Sequence, residues 1–181
     1  MTGWSIRSES PDDVAAIRDV TLAAFEHAPF SDQREADIVD ALRAAGALSV
    51  SLVAVQEGEV AGHIAFSPVE IGGAEGDWYG LGPVSVRPER QGKGMGQALV
   101  WAGLDRLATL GAGGCVLLGA PAYYGRFGFE SDPGLFYGEG PSPYFQRLIL
   151  AGPSASGEVR YHAAFDPPVP PIPAKAGTQD R

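Results

Sequence analysis

The chain has 181 residues, of which 45% are hydrophobic and 19% charged, and this length is typical of a single globular domain. A domain of this size buries roughly two thirds of the surface that its unfolded form exposes, so it needs no disulfide or structural metal to hold a core. The formal net charge is −9, from 13 Lys plus Arg and 22 Asp plus Glu. This charge argues against nucleic acid as a partner and favours a cationic one.

The cysteine count and the hydropathy pattern narrow the class of protein further. The single cysteine, Cys115, excludes a disulfide framework and a zinc site made of paired cysteines, and no metal is expected. The first residues show no basic segment followed by an apolar run, and no apolar stretch approaches the roughly 18 residues of a membrane span. We therefore expect a cytoplasmic protein without a membrane partner, whose oligomeric state is open, with a homodimer as one candidate.

The first half of the chain predicts a strand, two helices and a hairpin. Ser10 followed by Pro11 is typical of a helix start, and Ser31 predicts a second one. The turn at residues 57–59 joins two apolar runs with strand character. The predicted elements are a strand at 4–8, a helix to about 26, a helix from 31 to 45, and strands at 48–56 and 60–71.

The second half predicts one long central strand followed by a crossover helix. The strand at 78–86 contains Pro83, which cannot donate to a ladder, so we expect a bulge there and a separation from a neighbouring strand. Residues 94–110 show the clearest helical pattern in the chain. The remaining predicted elements are a buried strand at 115–118, a short helix at 121–126, a strand at 158–165 and an extended Pro-rich tail from residue 166.

This element order predicts an α/β fold with a mixed central sheet and helices on both faces. The domain would occupy residues 1–165, and residues 166–181 would be a flexible C-terminal tail with nothing to bury. The glycine-rich segment lies at the one clear crossover from strand to helix.

The segment from Gln91 to Gly96 has the properties of an anion-binding loop. Three glycines in five residues let the backbone curl at a helix start, where amides and the positive end of the helix dipole point outward. A Walker A loop would require Ser or Thr where Gly94 stands, and a dinucleotide fingerprint would require Gly or Ala where Gln97 stands. Both phosphate motifs therefore fail, and with them a kinase or nucleotide hydrolase.

The loop instead resembles the acetyl-CoA loop of the GNAT family of N-acetyltransferases, written Gln/Arg-x-x-Gly-x-Gly/Ala. A second segment, residues 122–129, resembles the family's aromatic-Tyr-x-x-x-Gly-Phe motif, and its full run of residues is similar to that of a YhbS-like bacterial subgroup. Residues 81–86, with their predicted bulge, resemble the family's fourth strand, which separates from the fifth. The resemblance implies the acyl-CoA N-acyltransferase fold, with a mostly antiparallel sheet and a splayed fourth strand.

The resemblance also implies an activity and roles for particular residues. The protein would transfer an acetyl group from acetyl-CoA to a primary amine by direct attack in a ternary complex. Tyr124 matches the family's general acid, and the backbone N–H at about Val84 would stabilise the oxyanion. The residues implied to bind acetyl-CoA are Val84, Val86, Gln91, Gly92, Lys93, Gly94, Met95, Gly96 and Tyr124.

Two departures from the family pattern leave alternatives open. Leu117 stands where many members have an asparagine, seven residues before the tyrosine. The predicted fourth strand carries no acid, so the general base is one of several candidates or water alone. The candidates are Asp77, Glu70, His63 and Glu26. Lacking a clear base, the domain could instead be a non-catalytic module that binds or senses acyl-CoA.

Several conspicuous residues have structural interpretations as well. His63, in a strand, fits a hydrogen-bonded sheet residue, and Cys115 fits a small core residue. Arg90 and Lys93 fit either solvated charges or contacts to coenzyme phosphates. The aromatic, turn-rich segment 136–145 would line an acceptor pocket or cover the sheet edge.

Overall fold

The computed structural model describes residues 3–167, and within them the chain forms eight strands and four α-helices. The strands are β1 (Trp4–Ser8), β2 (Val50–Gln56), β3 (Glu59–Ile71), β4 (Ala74–Val86), β5 (Gly114–Leu118), β6 (Leu135–Phe136), β7 (Phe145–Ile149) and β8 (Gly157–Tyr161). The helices are α1 (Val14–Phe25), α2 (Glu35–Ala44), α3 (Met95–Thr109) and α4 (Pro121–Tyr124). Short 3-10 turns occupy Pro11–Asp13, Pro88–Arg90, Gly125–Phe127 and Ala163–Phe165.

One sheet connects the strands in the order β1-β2-β3-β4-β5-β7. All pairs along this path are antiparallel except β4 with β5, which run parallel. β8 pairs with the end of β3 from Val69 to Ile71, past the last residue that β2 covers, and β6 lies parallel to β8. The predicted mixed, mostly antiparallel sheet is confirmed.

The helices pack on both faces of this sheet, as predicted. Since alternate side chains of a strand point to opposite faces, Ile64 and Phe66 of β3 pack against α3, whereas Val53 of β2 packs against α1 and α2. The α3 face forms the largest core cluster, which includes Leu52, Leu99, Val100 and Leu107. The sheet therefore lies between α3, which packs on one face, and the α1–α2 pair, which packs on the other.

A bulge in β4 separates β4 from β5. Phe66 lies opposite Leu81 and Ile64 opposite Val84, so the single residue Ala65 faces two residues, Gly82 and Pro83. The β4–β5 pairing covers only Trp78 to Gly80 and ends there. The predicted bulge and separation are confirmed, and the open interval beyond Gly80 is called the β4–β5 gap below.

Two predicted boundaries are wrong for local reasons. β4 begins at Ala74, because Gly72 and Gly73 adopt φ of 61° and 81° and close a tight turn that pairs Ile71 with Ala74. Asp77 therefore lies inside β4 and does not precede it. The second helix begins at Glu35 and not at Ser31, because Gln33 has a left-handed φ of 65° that no α-helix can include.

The C-terminal third of the fold was predicted least well. β6 and β7 were not predicted, because β6 has two residues and β7 follows a Pro- and Gly-rich segment that hides its short apolar pattern. The predicted strand at 158–165 is β8 only as far as Tyr161, since the chain then turns at Ala163–Phe165. The predicted tail falls mainly on residues 168–181, which lie outside the described residues.

Gly103 of α3 lets the helix approach the sheet closely, and this contact is testable. A Cβ at Gly103 would overlap the Phe66 ring. We expect Gly103→Ala to lower the free energy of unfolding by about 1–3 kcal/mol, since the gain in helix propensity, about 1 kcal/mol, is too small to offset the overlap. Urea unfolding measures this. Gly76→Ala is the control, because Gly76 has open space around it, and equal effects of the two substitutions would contradict the close packing.

Candidate active site

The loop between β4 and α3 exposes backbone amides at a helix start. Gly92 and Gly94 have φ of 76° and 92°, a backbone conformation that L side chains rarely adopt, so glycine is needed at both positions. The Gln91 Nε2 donates to the Val86 carbonyl at 2.9 Å and ties the loop to the end of β4. Ala98 makes the first helical hydrogen bond, to Gly94 at 3.0 Å, and the amides that precede it have no partner in the helix. Such a loop suits an anion.

These amides border a cavity of about 420 Å³, called the loop cavity below. It is lined by Val84, Val86, Gln91, Gly92, Gly94, Met95, Gly96, Gln97 and Tyr123. Seven of the nine residues implied to bind the coenzyme are in this lining. Lys93 and Tyr124 are not: the Lys93 side chain is exposed on the outside of the loop, and Tyr124 lies one residue beyond the lining residue Tyr123. Arg90 is also turned away, toward Gln56 and Glu57 of the β2–β3 turn.

Two tyrosines at the end of α4 face the end of β5 and the start of α3. A Cβ at Gly96 would lie 3.4 Å from the Tyr123 hydroxyl, which places that hydroxyl at the first turn of α3. The Tyr124 ring packs directly on the backbone of Gly119, where a Cβ would overlap it. Burial, with a smaller contribution from Tyr123, raises the pKa of Tyr124 to about 12. The Tyr124 phenol is therefore protonated at neutral pH and can donate a proton.

The arrangement matches a known family. A model of the Acetyltransferase (GNAT) family matches residues 14–129, more than half of the chain. The chain belongs to the GNAT family. The matched range contains the bulged strand, the loop cavity and both tyrosines, so the family resemblance found in the sequence is confirmed.

Individual relatives support the same assignment for this GNAT protein. The uncharacterized N-acetyltransferase YhbS of Escherichia coli (strain K12) is 41% identical over 126 residues, which cover 69% of this chain and 72% of YhbS. A crystal structure of a GNAT family acetyltransferase from Brucella melitensis in complex with acetyl-CoA is 54% identical, with a TM-score of 0.81, and covers 92% of this chain and 100% of that chain. The structure of YhbS from Escherichia coli in complex with CoA has the same TM-score at 35% identity, covering 91% and 92% of the two chains.

A buried amide that the sequence did not single out supports the end of β5 in this GNAT domain. Gln146 of β7 is 1% exposed and lies directly across from Leu117, the position where many family members have an asparagine. Its Nε2 donates to the Gly119 carbonyl at 3.0 Å, and its Oε1 has no partner among the described residues. Gln146 thus holds the residue on which the Tyr124 ring rests. The sequence offered no signal for Gln146, because β7 itself was not predicted and the strand also contains the charged Arg147.

Three of the four candidate bases lie away from the loop cavity. Asp77 is seven residues before Val84 along β4, roughly 20 Å in an extended strand. Glu70 lies near the end of β3, opposite Glu75 and Arg160. Glu26 is exposed just after α1, beside His27. None of the three is among the residues that line the loop cavity.

His63, the fourth candidate, is part of a buried polar network on the opposite face of the sheet. It is completely buried, and its Nε2 lies 2.8 Å from the Ser51 Oγ and 4.0 Å from the Glu9 carboxylate, which binds Arg43 at 2.8 Å. Burial lowers the pKa of His63 to about 4, which the charge of Glu9 opposes and that of Arg43 reinforces. His63 is therefore neutral and faces α1 and α2, whereas Val84 and Val86 face the loop cavity. Its interpretation as a hydrogen-bonded sheet residue is confirmed.

Several further cavities lie outside the loop. A cavity of about 450 Å³ between the ends of β1 and α3 contains the Glu9–Arg43 ion pair and no glycine loop. Another, of about 290 Å³, opens on the α1–α2 side of the β4 bulge. We call the latter the aromatic cavity; its lining comprises Phe25, Asp32, Arg34, Glu35, Ile38, Leu81, Gly82, Pro83, Leu118, Tyr137, Tyr161 and Phe165.

The segment 136–145 lines a cavity and also covers the sheet edge, and a role in binding an acceptor stays a prediction. Tyr137 lines the aromatic cavity, and Phe145 begins β7, which covers the edge of β5. Asp32, Glu35, Tyr161 and Phe165 were not singled out in the sequence, because only the tertiary structure brings their two segments, 32–35 and 161–165, together. Within residues 3–167, no helix has the length and hydropathy of a membrane span, and no group of three His, Cys, Asp or Glu side chains is placed to hold a metal ion.

The buried state of His63 predicts a pH dependence of stability. Since its pKa is about 4 in the folded chain and 6.5 when exposed, the unfolded state binds more protons between these values. Stability is therefore fully present above pH 6.5 and is lost as the pH falls toward 4. We expect the free energy of unfolding to fall by roughly 1 kcal/mol per pH unit from about pH 6.5 to about pH 5, as measured by urea unfolding.

Above pH 5, the change in the free energy of unfolding with pH reports on His63 and not on Glu9. Burial alone would raise the pKa of Glu9, but hydrogen bonds from Arg43 and Ser51 outweigh it, and the pKa of Glu9 is lower than usual. Glu9 therefore stays charged throughout that window. His63→Ala should flatten the pH profile, whereas His27→Ala, which removes an exposed histidine, should leave it unchanged. The same slope in both variants would contradict the assignment.

Proposed function

We propose that this GNAT protein transfers the acetyl group of acetyl-CoA to a primary amine by direct attack in a ternary complex. The observation that carries the proposal is the position of the loop cavity, which extends from the exposed amides at the start of α3 to Val84, just beyond the β4 bulge. An anion-binding end and an opened strand are thereby joined in one cavity. A coenzyme with a diphosphate at one end and a thioester at the other needs both.

The glycine loop fits the diphosphate of the coenzyme. A Cβ at Gly92 or Gly94 would meet no atom within 4 Å, so these glycines leave open space beside the amides. Met95, which is buried, anchors the helix start to the core while its backbone stays at the cavity. The Brucella relative, which binds acetyl-CoA, covers most of this chain at 54% identity, and this supports the same ligand here. Val86 and Gly96 would flank the arm between diphosphate and thioester.

The chemistry requires an unprotonated amine and a proton donor for the thiolate. The amine nitrogen forms a bond to the acetyl carbon and gives a tetrahedral oxyanion, whose collapse breaks the carbon–sulfur bond. The departing sulfur takes the proton of Tyr124, and the proton that the amine loses returns through water to the Tyr124 phenolate. We assign the stabilisation of the oxyanion to the Val84 N–H. The raised pKa of Tyr124 keeps its phenol protonated until the thiolate forms. With His63 on the other face of the sheet, we propose that water in the β4–β5 gap removes the proton from the amine.

A covalent acetyl-enzyme does not fit the residues present. Cys115, the one cysteine, is fully buried in β5, and burial raises the pKa of its thiol. A thiol that is neither accessible nor ionised is a poor nucleophile. Direct transfer between the two substrates is therefore the route that the site supports.

A non-catalytic module that binds or senses acyl-CoA is the second candidate. The absence of a carboxylate or imidazole from the lining of the loop cavity favours it. The seating of Tyr124 on Gly119, with Gln146 holding the Gly119 carbonyl, favours catalysis instead. The cytoplasmic location, the use of no metal and the homodimer stay predictions from the sequence.

The glycine loop can be tested by adding a carboxylate to it. Gly94→Asp should abolish binding of acetyl-CoA in calorimetry, because the new side chain strains a backbone with φ of 92° and its charge repels the diphosphate. Gly111→Asp is the matched control: φ is 84°, the added charge is the same, and the residue lies beyond the other end of α3. Wild-type affinity in Gly94→Asp would refute the role of the loop.

Tyr124 can be tested by removing its hydroxyl. Tyr124→Phe should lower kcat for thiol release by about 10²–10⁴-fold while leaving the Kd of acetyl-CoA nearly unchanged, because a general acid acts in the transition state. Tyr144→Phe, which removes the hydroxyl of an exposed ring, is the control. Unchanged turnover in Tyr124→Phe would remove this residue from the mechanism. A wild type that binds acetyl-CoA but acetylates no amine would favour the sensing module.

A further inference from the structure

The aromatic cavity opens onto the same bulge as the loop cavity, from the opposite side of the sheet. Its floor includes Leu81, Gly82 and Pro83, and the next residue, Val84, lines the loop cavity. Leu118, the last residue of β5, lines the cavity on the β5 side of the gap. The two cavities are thus separated only by the strand segments that border the β4–β5 gap. A molecule in the aromatic cavity would face a thioester held in that gap.

Aromatic rings form the walls of this cavity and hold one another in place. The Tyr161 ring packs on Gly80, the last β4 residue paired with β5, where an added Cβ would lie 2.6 Å from it. The Tyr137 ring meets Tyr161 edge to face at 5.0 Å between centroids, and the Phe165 ring lies 5.2 Å from Tyr161 on its other side. Three rings from two separate segments therefore form one apolar wall.

The charges at the rim are negative in sum. Asp32 and Glu35 contribute carboxylates, and Arg34 is the single cation among the described residues that line the cavity. The Arg34 Nε donates to Asp32 at 2.7 Å, and its other nitrogens donate to the carbonyls of Phe165 and Asp166 at 3.1 and 3.0 Å. Arg34 is thus engaged in holding the C-terminal segment against α2. A carboxylate on a ligand would meet a net negative rim and an arginine whose three nitrogens each already donate to an acceptor.

We propose that the aromatic cavity is the acceptor site and takes a primary amine carried on an aromatic or bulky apolar body without a carboxylate. The inference rests on the proposed function and names its substrate class. The body packs on the rings, the rim attracts the cationic form, and a volume of about 290 Å³ suits one ring with a short chain.

A panel of three acceptors tests the substrate class. 2-Phenylethylamine has the amine and the ring, ethylamine lacks the ring, and phenylalanine adds a carboxylate. With acetyl-CoA and the full chain, we expect kcat/KM for 2-phenylethylamine to exceed that for either of the others at least about tenfold. Equal values for 2-phenylethylamine and ethylamine would overturn the inference.

Substitutions at two aromatic residues test where the ring of the substrate binds. Tyr137 is 41% exposed, so Tyr137→Ala should fold, and it should lower kcat/KM for 2-phenylethylamine about tenfold while leaving that for ethylamine unchanged. Phe30→Ala is the control, because Phe30 is fully exposed in the α1–α2 loop and lies outside the lining. Equal kinetics of the two variants would overturn the inference.

Calorimetry separates this inference from the proposed function. Binding of 2-phenylethylamine, with and without CoA, should be seen in the wild type and lost in Tyr137→Ala. If acetyl-CoA binds and amines are acetylated without these preferences, the acceptor class is wrong and the proposed function stands. If acetyl-CoA does not bind, the proposed function is wrong, and the amine titration alone decides whether the cavity takes aromatic amines. If 2-phenylethylamine neither binds nor reacts, the inference is overturned.

Discussion

The structure depends on a central sheet in which β4 and β5 stop pairing part-way along their length. Backbone groups in a sheet interior are costly to leave unpaired, so a strand separates from its neighbour only where its own geometry forces it to. Here two residues, Gly82 and Pro83, face one residue of β3, and parallel pairing with β5 stops at Gly80. Since α1 and α2 cover one face and α3 the other, the gap stays open between rigid elements. Every part of the proposed site borders it.

Two glycines beside this gap let aromatic rings pack close to it. The Tyr124 ring rests on Gly119 at the end of β5, and the Tyr161 ring rests on Gly80 in β4. A side chain at either glycine would push its ring away, so these contacts set the distance of each tyrosine from the gap. In the proposed site, one ring serves the coenzyme side and the other the acceptor side. The positions of the rings follow from backbone shape and not from hydrogen bonds to their hydroxyls.

The buried polar groups divide between structure and chemistry according to the face on which they lie. His63, Ser51, Glu9 and Arg43 form a connected network on the α1–α2 face, and its charges are paired. Such a network holds β1, β2 and α2 together and has no access to the thioester. On the other face, the polar groups that line the loop cavity are backbone amides, the Tyr123 phenol and the side-chain amides of Gln91 and Gln97. Catalysis at this site would therefore rely on dipoles and on desolvation more than on ionised side chains.

The sequence by itself determined the elements whose chemistry is local: the β4 bulge at Pro83, the glycine loop before α3 and the tyrosine pair after β5. Proline geometry, positive φ and helix-start amides act over a few residues, so these features can be recognised from the sequence alone. Only the tertiary structure decided that His63 faces away from Val84, that Gln146 lies across from Leu117, and that Asp32, Tyr137 and Tyr161 meet at one cavity. Those relations depend on strand register and on the packing of distant segments, and neither leaves a periodic signal in the chain.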